Sequence, residues 1–116
     1  MRYVKRRAAL PLIVTLAICL PAQAEQGKPV FPKDLLGNKE YIELGEQVWG
    51  KICKFCHGKA AYPGKAPKLT PARYTPEFVF DRVTNGFRGM VSFKDQFSDK
   101  ERQAVTVYIM STQFSN

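Results

Sequence analysis

The apolar and polar positions divide the chain into one unbroken apolar run near its start and three stretches of helical spacing further on. Residues 8–20 are apolar almost throughout and follow a basic head of Arg2, Lys5, Arg6 and Arg7. Ala22-Gln23-Ala24 then offers a small-x-small cleavage site, so residues 1–24 read as a cleaved signal peptide, outside the fold. The run is too short to span a bilayer, and Ile18 stands where lipoprotein processing at Cys19 would want a small residue. No stable membrane anchor is expected once the leader is removed. Residues 25–37 hold two prolines and two glycines and predict an irregular arm. Val30, Phe31, Leu35 and Leu36 could pin that arm to the body or to a partner. Tyr41, Leu44, Val48 and Ile52 recur at spacings of 3, 4 and 4, the stripe of an amphipathic helix. Asn38 would cap that helix, with Glu40 in its first turn. Gly45 lies inside the stripe. A helix-interior glycine costs roughly 1 kcal/mol against alanine, which implies the close approach of another helix.

Two further helices follow. Thr75-Pro76-Glu77 supplies a cap, a proline at the first helical position and an acid in the first turn. The helix covers residues 78–84, and Asn85-Gly86 ends it. Ser98-Asp99-Lys100-Glu101 is a capping box opening a last helix to about Thr112, with Val105, Tyr108, Ile109 and Thr112 on one face. Residues 58–70 and 86–97 read as loops, the first with a turn at Tyr62-Pro63-Gly64. No stretch alternates as a strand does. The expectation is an all-α fold of three or four helices. Removing 24 of the 116 residues leaves 92, one domain near the low end of what a core stabilises alone. Its body is placed at residues 38–116, after the 25–37 arm.

The chemistry is concentrated in Cys53-Lys54-Phe55-Cys56-His57. Two thiols three apart, followed at once by a histidine, form the attachment signature of a c-type haem. Residues i and i+3 share a helical face, so both thiols can reach the vinyl groups along one porphyrin edge. His57 then turns its imidazole toward the iron as proximal ligand. A structural zinc site needs four ligands, but the chain has three cysteines, one of them Cys19 in the leader, and one histidine. A redox dithiol would want a βαβ setting, and none is visible. Cys53 and Cys56 are both used by the haem, so no disulfide is expected. The export signal agrees with this reading, since c-type haem is attached outside the cytoplasm in bacteria. The protein is therefore expected in the periplasm.

The second axial ligand cannot be histidine, because His57 is the only one. Met1 falls in the leader. Met110 sits in the last helix beside Tyr108 and reads as a helix residue. Met90 lies in a loop that can fold over the second haem face, and it is the favoured ligand. His57 and Met90 together would hold the metal, raise the potential and leave no open coordination position. That suits outer-sphere electron transfer by a carrier with no catalytic residues. A haem peroxidase or gas sensor would require Met90 to leave the iron.

Charge changes the picture little. The formal net charge is +8, but four of the 18 basic residues belong to the leader, leaving 14 against 10 acidic ones, a net +4 before haem propionates. Such a surface can steer the domain toward an acidic partner or simply keep it soluble. There is no dense basic run and no aromatic-basic interleaving, which argues against nucleic acid. Lys51, Lys54, Lys59, Lys65 and Lys68 surround the motif and could ring a haem edge or solvate a face. Trp49 and Phe55 are expected to pack near the haem, and Arg88 to meet a propionate, a partner or solvent.

Over residues 40–113 the chain resembles the small monohaem class I cytochromes c. The resemblance is carried by Gly45-Glu-Gln-Val-Trp49, Cys53-Lys-Phe-Cys-His57-Gly58, Ala66-Pro67-Lys68-Leu69, Asn85-Gly86-Phe87-Arg88-Gly89-Met90 and Tyr108. It implies helices packed around one covalently bound haem c. It also implies a Pro67 carbonyl that receives the ring N–H of His57 and fixes its tautomer, and a Gly45 that meets the last helix near Tyr108. The chain departs from the family at Val91, where a proline usually follows the methionine, and this implies a looser Met90 loop. More narrowly, the stretch from Val83 to Phe93 is similar to the ligand loop in cytochrome subunits of p-cresol methylhydroxylase-type flavocytochromes. That similarity implies an FAD-containing, alkylphenol-oxidising dehydrogenase as electron donor. The other reading is a free carrier between another periplasmic dehydrogenase and a terminal oxidase. Phe87, Val91 and Phe93 would form the apolar centre of a docking border, with Arg88 and the lysines as its rim.

Overall fold

The computed structural model describes residues 27–59 and 64–114. The leader, its cleavage site and the turn at Tyr62-Pro63 lie outside them. Four α-helices follow in order: α1 (Lys39–Val48), α2 (Lys54–His57), α3 (Pro76–Asn85) and α4 (Asp99–Met110). A π-helical turn, Trp49–Cys53, joins α1 to α2, and 3-10 turns occupy Lys33–Leu35 and Pro71–Arg73. The first of these lies within the arm that was expected to be irregular throughout. Among the described residues there is no strand, only an isolated antiparallel bridge between Phe87 and Met90. No helix there is long and apolar enough to cross a membrane.

The starts of the helices follow from their caps. The Asn38 side chain accepts the N–H of Tyr41 at 3.3 Å, and Thr75 Oγ1 accepts that of Phe78 at 3.2 Å. At α4 the capping box closes in both directions: Ser98 Oγ accepts from Glu101 N at 3.3 Å, and Glu101 Oε2 accepts from Ser98 N at 2.9 Å. Each bond satisfies a backbone donor that the first helical turn leaves without a partner.

Packing centres on the crossing of α1 and α4. At Gly45 a Cβ would lie 2.6 Å from Tyr108 Cβ and 2.6 Å from the Ala104 carbonyl carbon, so the two backbones meet where a side chain cannot stand. The buried face of α1 is Ile42, Gly45 and Val48, continued by Trp49. Tyr41, Leu44 and Ile52, three of the four expected stripe residues, are half-buried at its margin. The contact point at Gly45 sets the face one position later than the apolar spacing does. α3 packs Val79, Phe80, Val83 and Thr84 inward. Lys100 Nζ meets Glu40 Oε1 at 2.7 Å, tying together the starts of α1 and α4.

Both ends of the described stretch join this core. Phe31 is buried and sets its ring edge-on to Phe80 at 5.7 Å, and Lys33 pairs with Glu77 at 3.0 Å. Leu35 is half-buried, whereas Val30 and Leu36 are exposed, so half of the expected arm anchors hold it. α4 ends at Met110, where Ser111 turns extended and Thr112 is exposed. Thr112 therefore does not continue the helical face. Phe114 folds back instead, fully buried against Trp49 at 4.7 Å and Tyr108 at 5.4 Å.

Candidate functional site

α1 runs into the cysteine motif with helical backbone at every junction. The π turn adds one residue to a helical turn and rotates everything after it, a device that often marks functional positions. It leaves Trp49 buried, Cys53 half-buried, Cys56 exposed and His57 half-buried. Both cysteines are free thiols. Burial pushes the Cys53 thiol up to about 11, so it stands neutral. Among the described residues no three His, Cys, Asp or Glu side chains gather into a metal-holding group, and the Cys–Cys–His triplet does not close as a chelate.

Gly58 ends α2 with φ +80° and donates its N–H to Lys54 at 2.9 Å. The returning loop then locks against the motif, where Ala66 N donates to the Cys56 carbonyl at 2.8 Å. A Cβ on Gly64 would stand 2.9 Å from the Cys56 carbonyl carbon and 3.1 Å from Gly58 N. A side chain there would fill the space in which this strap meets the motif.

His57 is brought to Pro67. Burial pushes the imidazole pKa down, while the Pro67 carbonyl pushes it up. The larger effect favours the neutral ring, the form that ligates metal. Nδ1 is buried without a hydrogen-bond partner among the described residues. The indole of Trp49 covers the imidazole at 5.8 Å between centroids, and Phe114 backs the indole. Trp49 is thus buried within the core beside the motif. Phe55 is exposed, with Lys54 over its ring at 5.6 Å.

Met90 sits on the tight turn after α3. Gly86 leaves the helix with φ +73°, and a Cβ there would meet Ser92 N at 2.8 Å. Phe87 and Met90 exchange both backbone hydrogen bonds at 3.0 Å. Ser92 Oγ donates to Thr84 O at 2.7 Å, and Phe93 N donates to Val83 O at 3.1 Å. Arg88, at the tip, adopts φ +52°, a region that disfavours any residue with a Cβ. Met90 is half-buried against the core, and so is Met110 at the end of α4. Phe93 is buried, 7% exposed, so it belongs to the core and not to a docking border. Phe87 and Val91 remain exposed there. Lys51, Lys54, Lys59, Lys65, Lys68 and Arg88 are all exposed.

These donors fit a haem c: paired free thiols on one helical segment, a neutral imidazole held by an aromatic wall, and a thioether on a fixed turn. Sequence reasoning missed Arg82. Its guanidinium carbon lies 4.9 Å from the Phe78 ring centroid and 4.1 Å from that of Phe87. The cation–π spacing is readable only once α3 and the Met90 turn are side by side.

The comparisons agree with this chemistry. The chain is 28% identical over 101 residues to quinohemoprotein alcohol dehydrogenase ADH IIB of Pseudomonas putida, covering 83% of this chain and 15% of that protein. It is similar to the structure of dihydro-heme d1 dehydrogenase NirN in complex with DHE, with TM-score 0.55 and 26% identity over 59% of this chain and 16% of that one. The chain thus spans about a sixth of the length of these relatives. It shares its fold with cytochrome c6 of the diatom Phaeodactylum tricornutum, with TM-score 0.54 and 24% identity over 62% of this chain and 93% of that one. The chain is a cytochrome c that carries electrons on a covalently bound haem c. Residues 40–109, from the first turn of α1 to the last of α4, match the family model described as cytochrome C oxidase, cbb3-type, subunit III, and the chain belongs to that family of cytochromes c.

Proposed function

We propose that this cytochrome works in the periplasm as the electron acceptor of a dehydrogenase, with His57 and Met90 as the axial ligands of its iron. Cys53 and Cys56 form the thioether links, and the Pro67 carbonyl orients the His57 ring. The observation that carries this reading is the Met90 turn, tied at Phe87, Thr84 and Val83, because a fixed thioether can ligate with little reorganisation. Haem c, when bound, supplies reversible one-electron Fe(III)/Fe(II) exchange, and a thioether ligand raises its potential. Trp49 stands beside the imidazole, and Phe114 backs the indole.

The similarity to a protein named as a quinohemoprotein alcohol dehydrogenase supports a dehydrogenase as donor. The ligand-loop resemblance makes an FAD-containing alkylphenol-oxidising subunit the specific candidate. Phe87 and Val91 give the loop an apolar contact, and Arg88 with the lysines gives it a steering rim. The exposed lysines favour a second reading, a free carrier that docks through screened charges. Gel filtration with the flavoprotein separates the two. Co-elution that Phe87→Ala weakens, together with haem reduction by a para-alkylphenol, supports the subunit. Migration alone, with electron transfer that falls steeply with salt, supports the free carrier.

A further inference from the structure

We propose that Arg82 is a haem-facing cation that raises the potential of the bound haem, its Nε–H donating to a haem propionate. This rests on the haem-site reading above and adds a residue that neither the motif nor the family match assigns.

Three observations place it. First, α3 buries Val79, Phe80, Val83 and Thr84 on its inner face, so Arg82 stands on a flank. That flank is the one beside the Met90 turn, because the guanidinium stacks on Phe87 at 4.1 Å and Phe87 exchanges both backbone bonds with Met90. Second, the group is held in place: Phe78 covers it at 4.9 Å, and Asp81 Oδ2 takes Nη1 at 3.5 Å. Third, Nε is buried and has no partner among the described residues. A buried charged donor without an acceptor is costly, and Asp81 is already engaged at the other end of the fork. Haem c brings two propionates, whose oxygens suit an arginine N–H. The exposed rings of Phe78 and Phe87 offer the same flank an apolar cover.

The electrostatic consequence has a definite sign. Reduction adds one electron to the iron, lowers its positive charge and breaks no bond. A fixed cation nearby therefore favours the reduced state, by an amount set by distance and local dielectric. Asp81 offsets part of it, but lies at the Nη1 end.

The test uses the matured holocytochrome and needs no partner. Wild type, Arg82→Met, which keeps an apolar stem, and Arg82→Lys, which keeps the charge, are compared by mediated redox titration. Covalent haem and the far-red thioether-to-iron band of the ferric form are recorded alongside. Arg82→Met should keep both signatures, while the reduced-to-oxidised ratio at fixed poise falls about tenfold, or about 59 mV for one electron. Arg82→Lys should recover most of the loss. Should Arg82→Met fail to mature, Arg82→Gln carries the same expectation. An unchanged potential with haem and band intact would overturn the proposal and leave Arg82 to solvent or a partner. A lysine variant no better than methionine would reduce Arg82 to packing and overturn it equally. Freely extractable haem in the wild type would overturn the haem site itself, and the proposal with it.

Discussion

Replacing Gly45 with alanine tests the helix crossing on which the site is built, because two effects of opposite sign compete there. An alanine Cβ would stand 2.6 Å from Tyr108 Cβ and from the Ala104 carbonyl carbon, whereas carbon atoms prefer about 3.5–4.0 Å. The neighbours are backbone and a Cβ, not the far end of a flexible side chain, so α1 and α4 must part by about 1 Å. Overpacking of this kind costs about 1–3 kcal/mol. The helix-propensity gain of alanine over glycine returns about 1 kcal/mol. Because the clash is with backbone and a Cβ, the upper part of the overpacking range applies, about 2–3 kcal/mol, and the net expectation is a loss of about 1–2 kcal/mol, which for a domain of this size lowers the Tm by about 5–15 °C. Gly50→Ala is the control, since a Cβ there meets nothing within 4 Å, and it should leave the Tm unchanged or slightly raised. Thermal and urea unfolding of the ferric holoprotein, followed by far-UV circular dichroism, reads both. Because α1 continues into Cys53, Cys56 and His57, the Gly45 variant should also weaken the thioether-to-iron band. A Gly45→Ala protein as stable as the wild type would show that the helices do not meet at that residue.

Three further outcomes are expected. Phe31→Ala should cost about 3 kcal/mol in chemical denaturation, the usual loss for a buried phenylalanine; a change near zero would return the arm to solvent. Met90→Ala should lower the potential and admit added imidazole, while Met110→Ala should do neither; the reverse pattern would transfer the ligand role to α4. The Glu101 carboxylate is held below its ordinary range, chiefly by the backbone N–H of Ser98 and then by its hydroxyl. Its contribution to stability is present above the unfolded value of about 4.3 and lost as pH falls through the lower folded value. Glu101→Gln should therefore flatten that part of the pH–stability curve, and Ser98→Ala should cost about 1 kcal/mol at neutral pH.

The motif was legible because its chemistry is local: the Cys–Cys–His spacing and the caps at Asn38, Thr75 and Ser98 all act within a turn of chain, and Gly45 showed itself by breaking a helical stripe. The less legible features depend on how distant segments return. Nothing periodic marks Phe31 or Phe114: Phe31 stands in the sequence only as one of four possible anchors of the arm, and Phe114 not at all, yet both close the core from outside the family-matched region. The π turn at Trp49–Cys53 breaks the phase on which a 3.6-residue reading relies, so Ile52, which extends the apolar stripe, is only half-buried. Phe93 looks like a loop residue, but its N–H caps the Val83 carbonyl, and that bond draws the ring inward against Phe97 at 5.6 Å.

The Met90 loop shows how local sequence and tertiary structure can point in opposite directions. Val91 lacks the ring that stiffens a proline, and Arg88 takes φ +52°, a conformation costing about 1–2 kcal/mol for a residue with a Cβ. Both features favour a loop that gives way. Against them stand four hydrogen bonds: two between Phe87 and Met90, one from Ser92 to Thr84 and one from Phe93 to Val83. At about 1 kcal/mol each, they outweigh the strain at Arg88, and the burial of Phe93 adds to them. The strain is tolerated because both stems of the turn are fastened to the last turn of α3. Restoring proline at position 91 should therefore change the pH at which the Met90 band disappears very little, whereas Ser92→Ala, which releases the Thr84 carbonyl, should lower it. A large upward shift with Val91→Pro, and none with Ser92→Ala, would mean that the missing proline governs the loop after all.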